Sequence, residues 1–394
     1  MKIRLSILGA TGSVGGSAVS LVEAYPEVFS VAALAAGKNH RLLYSLIRRF
    51  RPRLAAVFSE REREALFKLF KEEGCKSPPQ VETGDYGLEL CALHPEADVV
   101  LSAVSGARGL VPAFAALRAG KKVALANKES LVMAGDLLGD RERALISPVD
   151  SEHSAIFQAL GGTLETGPLR RILLTASGGP FRGYSPMRLK SVTLEEALSH
   201  PSWNMGRRIT VDSATMLNKG FEVMEAHHLF KVPYERIQVL VHPESLVHSM
   251  LEYPDGSILA QLGPPDMRIA AAYALTAPKR LPLLEDLSGQ GLRPLDFQRP
   301  LTFEEPDRLT FPALALAEEA GKKGGTLPAI LNAADEEAVE AFLQGKIHFT
   351  LITRVLEESL SRLGGSPLNS LEDALEADKS AREYALSLMR KFES

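Results

Sequence analysis

Asp150 and Glu152 stand two positions apart in Pro148-Val149-Asp150-Ser151-Glu152-His153-Ser154, where an apolar run (Ala144, Leu145, Ile146, Val149) gives way to a helix-like pattern from Ser154 to Leu160. Positions i and i+2 of a strand point to one side, and ligands collect at the C-terminal ends of strands in open α/β sheets. The two carboxylates therefore suit one cation or one proton. Equally, Asp, Ser and Glu are the residues that cap a helix and fill its first turn. A third carboxylate, Glu222, closes Asn218-Lys219-Gly220-Phe221-Glu222, one helical turn from Asn218 and on its face. Three carboxylates without a cysteine or histidine cluster would specify a hard cation, Mg²⁺ or Mn²⁺. As a surface member of a Lys–Glu helix face, Glu222 would need no metal. Ser213, Asn218 and Lys219 offer hydroxyl, amide and ammonium donors beside a helix start capped by Asp212 or Ser213, which suits a phosphate.

Upstream, Gly9-x-x-Gly12-x-x-Gly15 lies between a strand pattern and a helix pattern. Glycines there let the backbone approach a pyrophosphate at a helix N-terminus, although a tight structural turn would use them too. The second strand ends in Ala35-Ala36-Gly37-Lys38-Asn39, with Arg41 behind it and no carboxylate. An NAD site needs an acid at this point, so a cation and an amide favour the extra 2′-phosphate of NADPH. A solvated loop with an incidental lysine is the plainer alternative. Ala126-Asn127-Lys128-Glu129-Ser130 occupies another strand end, where cofactor and substrate would meet. The only tryptophan, Trp203, sits in His200-Pro201-Ser202-Trp203-Asn204-Met205-Gly206, a composition that suits a lid better than a core. His242 and His248 flank a strand at a spacing that suits no metal, and read as structural.

These groups need scaffolds. The chain has 394 residues, more than one core usually organises, and its 45% hydrophobic and 24% charged content is that of a globular protein. A net charge of −4, with both signs dispersed, gives no case for nucleic acid or an anionic membrane. Two cysteines and no apolar run of transmembrane length point to a cytoplasmic protein. Strand patterns at residues 3–8, 28–36, 54–58, 98–104 and 123–126 alternate with helical ones, which predicts an α/β fold opening with a Rossmann-like, doubly wound parallel sheet over residues 1–150. A central α+β catalytic domain is expected over 151–285, with strands at 171–175, 237–241, 246–253 and 257–262, the last two turned by Pro254-Asp255-Gly256. A linker over 286–311 and a C-terminal helical bundle over 312–394 complete the expectation.

Taken in order, these motifs resemble the 1-deoxy-D-xylulose-5-phosphate reductoisomerases. The resemblance runs through Gly9-Ala10-Thr11-Gly12-Ser13, Leu125-Ala126-Asn127-Lys128-Glu129-Ser130, Pro148–His153, Thr175-Ala176-Ser177-Gly178-Gly179-Pro180-Phe181, His200–Trp203, Asn218–Glu222 and Leu259-Ala260-Gln261-Leu262-Gly263. It implies that Asp150, Glu152 and Glu222 hold the divalent metal, with Co²⁺ admitted beside Mg²⁺ and Mn²⁺, and that these three with Lys128 form the catalytic set. Ser177, Ser213, Asn218 and Lys219 would bind the substrate phosphate, His200 and Trp203 would lie on the closing loop, and Lys128 and Ser151 would face substrate. Thr11, Gly12, Ser13, Val14, Gly37, Lys38, Asn39, Asn127, Glu129 and Gly206 would contact NADPH. The implied reaction breaks and re-forms a carbon–carbon bond of 1-deoxy-D-xylulose 5-phosphate and reduces the branched aldehyde to 2-C-methyl-D-erythritol 4-phosphate, in isoprenoid precursor synthesis. A homodimer is implied too, and the apolar 246–262 hairpin is a candidate seam. Departures are small, such as Val14 where isoleucine is commoner and Ser202 and Asn204 around the tryptophan. A semialdehyde-type dehydrogenase would need a nucleophilic cysteine in its second domain, whereas Cys75 and Cys91 both fall in the first. A non-catalytic nucleotide sensor would not need the metal and phosphate residues.

Overall fold

The structure, a computed structural model, describes residues 2–203, 205–298 and 300–392, so Asn204 lies outside the described residues. The chain divides into two compact units. The first comprises residues 1–127, 139–154 and 266–293. The second comprises 128–138, 155–265 and 294–394.

Seven strands form the sheet of the first unit: β1 Ile3–Leu8, β2 Phe29–Ala35, β3 Leu54–Val57, β4 Gln80–Thr83, β5 Val99–Ser102, β6 Lys122–Leu125 and β7 Ile146–Pro148. They run β4-β3-β2-β1-β5-β6-β7, and every pairing is parallel. The Rossmann-like sheet expected from the alternation is therefore present. Its inner strands β2 and β3 are nearly continuous apolar runs, the pattern of strands buried on both faces. β4 escapes the sequence patterns: Gln-Val-Glu-Thr has a single apolar residue and lies at the sheet edge. The order reverses between β1 and β5, the switch point at which doubly wound sheets open a crevice.

Helix Met267–Thr276 packs on helix Ser13–Ala24, and its Ala271, Ala272, Ala274 and Leu275 join the core of this unit. The sequence reading keeps this stretch with residues 151–285. An amphipathic helix shows that it has an apolar face but not which sheet that face meets.

In the second unit β8 Arg171–Ala176, β9 Ile237–Val241, β10 Val247–Glu252 and β11 Ile258–Leu262 run β11-β10-β8-β9. β10 and β11 form the expected antiparallel hairpin, while β8 and β9 are parallel. Four helices, Ala313–Lys323, Leu327–Leu343, Phe349–Leu363 and Leu371–Arg390, follow where the helical periodicity placed them. They are not separate from the central elements: Ala313–Lys323 lies along helix Leu217–Phe230, and Gly220 permits this because a Cβ there would stand 2.3 Å from Ala317 Cβ. Among the described residues of 286–311 the regular structure is the end of helix Leu283–Asp286, the 3-10 turn Ser288–Gln290 and Glu304 bridging to Val241. Among the described residues no helix is long and apolar enough to cross a membrane.

Candidate active site

In the first unit the glycine loop follows β1 directly. Gly9 has φ +86°, and a Cβ there would lie 2.3 Å from the Ala103 carbonyl oxygen, so only glycine lets β1 turn against the end of β5. A Cβ on Gly15 would meet the Gly9 carbonyl oxygen at 2.1 Å, which seats helix Ser13–Ala24 tightly on the turn. Gly12 opens that helix without a side-chain cap, leaving its first amides to a ligand. Beside the loop is a cleft of about 260 Å³ lined by Thr11, Gly12, Gly37, Phe58, Ser105 and Arg108 among others. Asn39 caps the next helix by accepting from Leu42 N, and Lys38 Nζ lies 5.6 Å from the Phe58 ring centroid. Asn127 donates to the Gly106 carbonyl at 3.0 Å. Small residues, open amides and no acid at the end of β2 fit a phosphorylated dinucleotide.

Asp150 and Glu152 also belong to this unit. The strand ends at Pro148 and helix Ser151–Ala159 starts at once, so the pair straddles a helix start and not a strand. The i, i+2 argument fails there, yet ligand oxygens of the two carboxylates lie within 4.8 Å of each other. Asp150 Oδ1 accepts from Ser151 N, the first amide of the helix, at 3.0 Å, and Ser151 Oγ donates to Glu152 at 2.5 Å. His153, fully buried, has Nδ1 3.9 Å from Asp150.

Glu222 belongs to the second unit and is 1% exposed, which excludes the surface-helix reading. Lys128 Nζ donates to Glu222 Oε1 at 2.8 Å and to Asn218 Oδ1 at 3.0 Å, while Lys219 and Asn218 also donate to the Glu222 carboxylate. Two ammonium groups around one buried carboxylate compensate its desolvation. The expected cap at Asp212 or Ser213 is not there. Both residues lie inside helix Arg207–Thr215, which starts after Gly206, and the junction to helix Leu217–Phe230 is Met216 at φ +65° with no side-chain cap. Ser213 thus ends one helix, and Asn218 and Lys219 open the next, where amides face outward.

The loop after β8 completes this group. Gly178 and Gly179 both have positive φ, and a Cβ on Gly179 would lie 2.5 Å from the Ser213 carbonyl oxygen, so the loop carries Ser177 close to Ser213. His200 Nδ1 accepts from the amides of Ser202 and Trp203 at 3.2 and 3.0 Å. The neutral ring therefore carries its proton on Nε2, 2.9 Å from Ser177 Oγ. Ser177 Oγ accepts from that ring and from Gly179 N, which leaves its own hydrogen to donate. Trp203 lies 5.9 Å from the His248 ring. His248 holds Gly263 O, and His242 holds Thr302 O while stacking on Phe303, roles that position loops.

Sequence reasoning missed a charged assembly in the second unit. Arg208 meets Glu336 at 3.0 Å, Asp335 at 3.4 Å, Glu129 at 3.6 Å and Asp212 at 3.7 Å, and donates to Asn332. Burial, and then the neighbouring Asp335, push the Asp212 carboxyl well above its ordinary range. Burial works against the Arg208 charge, but the surrounding carboxylates more than restore it. Nothing in residue type marked Arg208, because its partners Asp335 and Glu336 are more than a hundred positions away.

A seven-stranded parallel sheet with a glycine loop after β1 defines an NADP-type oxidoreductase architecture. The chain belongs to the 1-deoxy-D-xylulose 5-phosphate reductoisomerase family. The family profile matches residues 5–135, and its C-terminal domains match 146–230 and 262–384. The 1-deoxy-D-xylulose 5-phosphate reductoisomerase of Chlorobaculum tepidum is 49% identical over 388 residues, covering 98% of this chain and 99% of its own. That of Pelotomaculum thermopropionicum is 47% identical over 391 residues, covering 98% of both. A DOX-P reductoisomerase crystal structure with NADPH, fosmidomycin and magnesium is 37% identical, with TM-score 0.91 and complete coverage of both chains. The Zymomonas mobilis enzyme in complex with NADPH is 42% identical, with TM-score 0.86 and 99% coverage of each chain. Cys75 and Cys91 both lie in the first unit, as the exclusion of a semialdehyde-type dehydrogenase required.

Proposed function

We propose that the two units carry the rearrangement and NADPH-dependent reduction of 1-deoxy-D-xylulose 5-phosphate to 2-C-methyl-D-erythritol 4-phosphate, with the roles divided as follows. The observation that carries the reading is the buried Glu222 carboxylate clasped by Lys128 and Lys219 on the helix that also presents Asn218. Ser177, Ser213, Asn218 and Lys219 hold the phosphate, and His200 orients the Ser177 hydroxyl so that its hydrogen points to an oxygen of that group. Binding energy from a phosphate remote from the reacting carbons is available for closing the loop that bears His200 and Trp203. Thr11, Gly12, Ser13, Val14, Gly37, Lys38, Asn39 and Asn127 from the first unit, with Glu129 and Gly206 from the second, contact NADPH, which supplies the hydride.

Asp150, Glu152 and Glu222 form an all-oxygen donor set that fits Mg²⁺ or Mn²⁺, with Co²⁺ admitted. When bound, such a cation supplies Lewis acidity at the substrate carbonyl and hydroxyl oxygens. Lys128 holds Glu222 and Asn218 in place and presents a positive charge where negative charge develops on oxygen. Ser151, tied to Glu152, orients that carboxylate and faces substrate. Glu222→Gln tests the assignment: metal-dependent turnover is lost while NADPH affinity, which resides chiefly in the first unit, stays within about twofold. Near-normal turnover with magnesium in that variant would refute the ligand set.

The same reading makes the chain a cytoplasmic homodimer. β11 is an edge strand whose Ile258 and Leu259 are about half exposed, and such an edge asks for a partner strand.

A further inference from the structure

The cleft of the first unit contains a cation that the sequence motifs pass over. Arg108 is the one charged side chain among the described residues lining it. It sits in the short turn Ala107–Gly109 after β5 and lines the same cleft as Gly37 of the loop that ends β2. Its guanidinium carbon is 4.4 Å from the Phe58 ring centroid, so Arg108 and Lys38 share one aromatic platform at the end of β3. Nε and Nη2 of Arg108 donate to Asp85 Oδ1 at 3.0 and 2.7 Å. Asp85 is 83% exposed, so this pair is solvated and holds the guanidinium only weakly.

We propose that Arg108, with Phe58 as its platform, is a specificity-determining residue that binds the 2′-phosphate of NADPH together with Lys38. The inference rests on the reading of this unit as the NADPH-binding one. In a doubly wound sheet the adenosine ribose falls at the end of β2, where NAD enzymes place an acid. Here Gly37-Lys38-Asn39 supplies none and carries a single cation, Lys38, against a phosphate with close to two negative charges. Arg108 supplies the second, and its planar fork matches two phosphate oxygens where an ammonium matches one. The Phe58 ring, 42% exposed, keeps the guanidinium flat and limits its freedom before the ligand arrives. Asp85 then acts as a resting partner that the phosphate displaces, since a more highly charged anion with three acceptor oxygens competes better for the same donors.

Steady-state kinetics of the full enzyme with NADPH and NADH, together with binding of 2′,5′-ADP and 5′-AMP, test this. Losing charged hydrogen bonds of this kind corresponds to about a 10–100-fold loss of affinity. In Arg108→Ala the KM for NADPH and the dissociation constant of 2′,5′-ADP should rise by that factor, while kcat, the KM for NADH and 5′-AMP binding stay within about twofold. Arg108→Lys should recover only part of the loss, and Asp85→Asn should tighten 2′,5′-ADP binding by removing the competing carboxylate. Equal losses for NADPH and NADH, or no loss for either, would overturn the assignment. A wild-type enzyme indifferent between NADPH and NADH would overturn the cofactor reading itself, and the assignment with it.

Discussion

Replacing Asp335 by asparagine tests whether the second unit carries a surplus buried carboxylate. Arg208 on helix Arg207–Thr215 meets Asp212 of its own helix, Glu129 of helix Glu129–Ala134, and Asp335 and Glu336 of helix Leu327–Leu343. Arg382 shares Glu336 but also binds Glu337 and Asp378, so it does not redress the balance. Burial pushes Asp335 up to about 6 against the pull of Arg208. A carboxyl raised in the folded state binds its proton more tightly there than in the unfolded chain. Its contribution is complete below the unfolded value, near 4, and is lost as pH rises through the folded value, near 6. A carboxyl carried from near 4 to near 6 corresponds to roughly 3 kcal/mol, and relaxation of the neighbouring Asp212 reduces this, leaving about 1–3 kcal/mol of strain at pH 8. Arg208 Nη2 donates to Asp335 Oδ2, and an asparagine of nearly the same volume still offers one carbonyl oxygen to accept that bond, so Asp335→Asn should recover that energy. For a unit of this size the melting midpoint should rise by about 2–8 °C at pH 8. The gain should roughly halve by pH 5, where the wild-type carboxyl is already mostly protonated. Calorimetric midpoints of both proteins at the two pH values measure it. A variant less stable at pH 8, or a gain independent of pH, would refute the argument.

His200→Ala removes the ring that orients Ser177 and accepts from two loop amides; the KM for the phosphorylated substrate should rise about tenfold with NADPH binding unchanged. Unchanged substrate KM would count against the phosphate cradle. Gly9→Ala places a Cβ against the Ala103 carbonyl and forces a side chain onto a φ of +86°, so NADPH binding should fall by more than tenfold and the first unit should melt earlier. Titration of NADPH fluorescence and calorimetry read both effects. Leu259→Asp on β11 should convert the proposed dimer to a monomer by light scattering; a variant that remains dimeric moves the seam elsewhere.

The glycine loop was legible in the sequence because its constraints are local: Gly9 must turn and Gly15 must let a helix close, and both needs appear within seven residues. The identities of Asp150, Glu152, Asn218, Lys219 and Glu222 were legible as chemistry, since hard donors and phosphate donors have few residue types to choose from. Their local geometry was less so. The spacing of Asp150 and Glu152 suits a strand but they flank a helix start, and Asp212 and Ser213, whose residue types suit a cap, lie buried within helix Arg207–Thr215. Both slips come from assigning a boundary two to six residues away from where packing puts it. β4 was invisible because a four-residue edge strand with one apolar side chain has no period to detect.

Composition, periodicity and motif order by themselves determined a Rossmann-like sheet, an α+β region, terminal helices and the family resemblance, because apolar periods and motifs are local and are read directly along the chain. Tertiary structure alone decided that helix Met267–Thr276 returns to the first unit and that Arg108 stands over Phe58. It also decided that Lys128 and Lys219 clasp one buried carboxylate, and that Arg208 gathers four. The physical reason is common to all of these. A charge or an apolar face declares its need for a partner in the sequence, but which distant residue meets that need depends on how the chain packs.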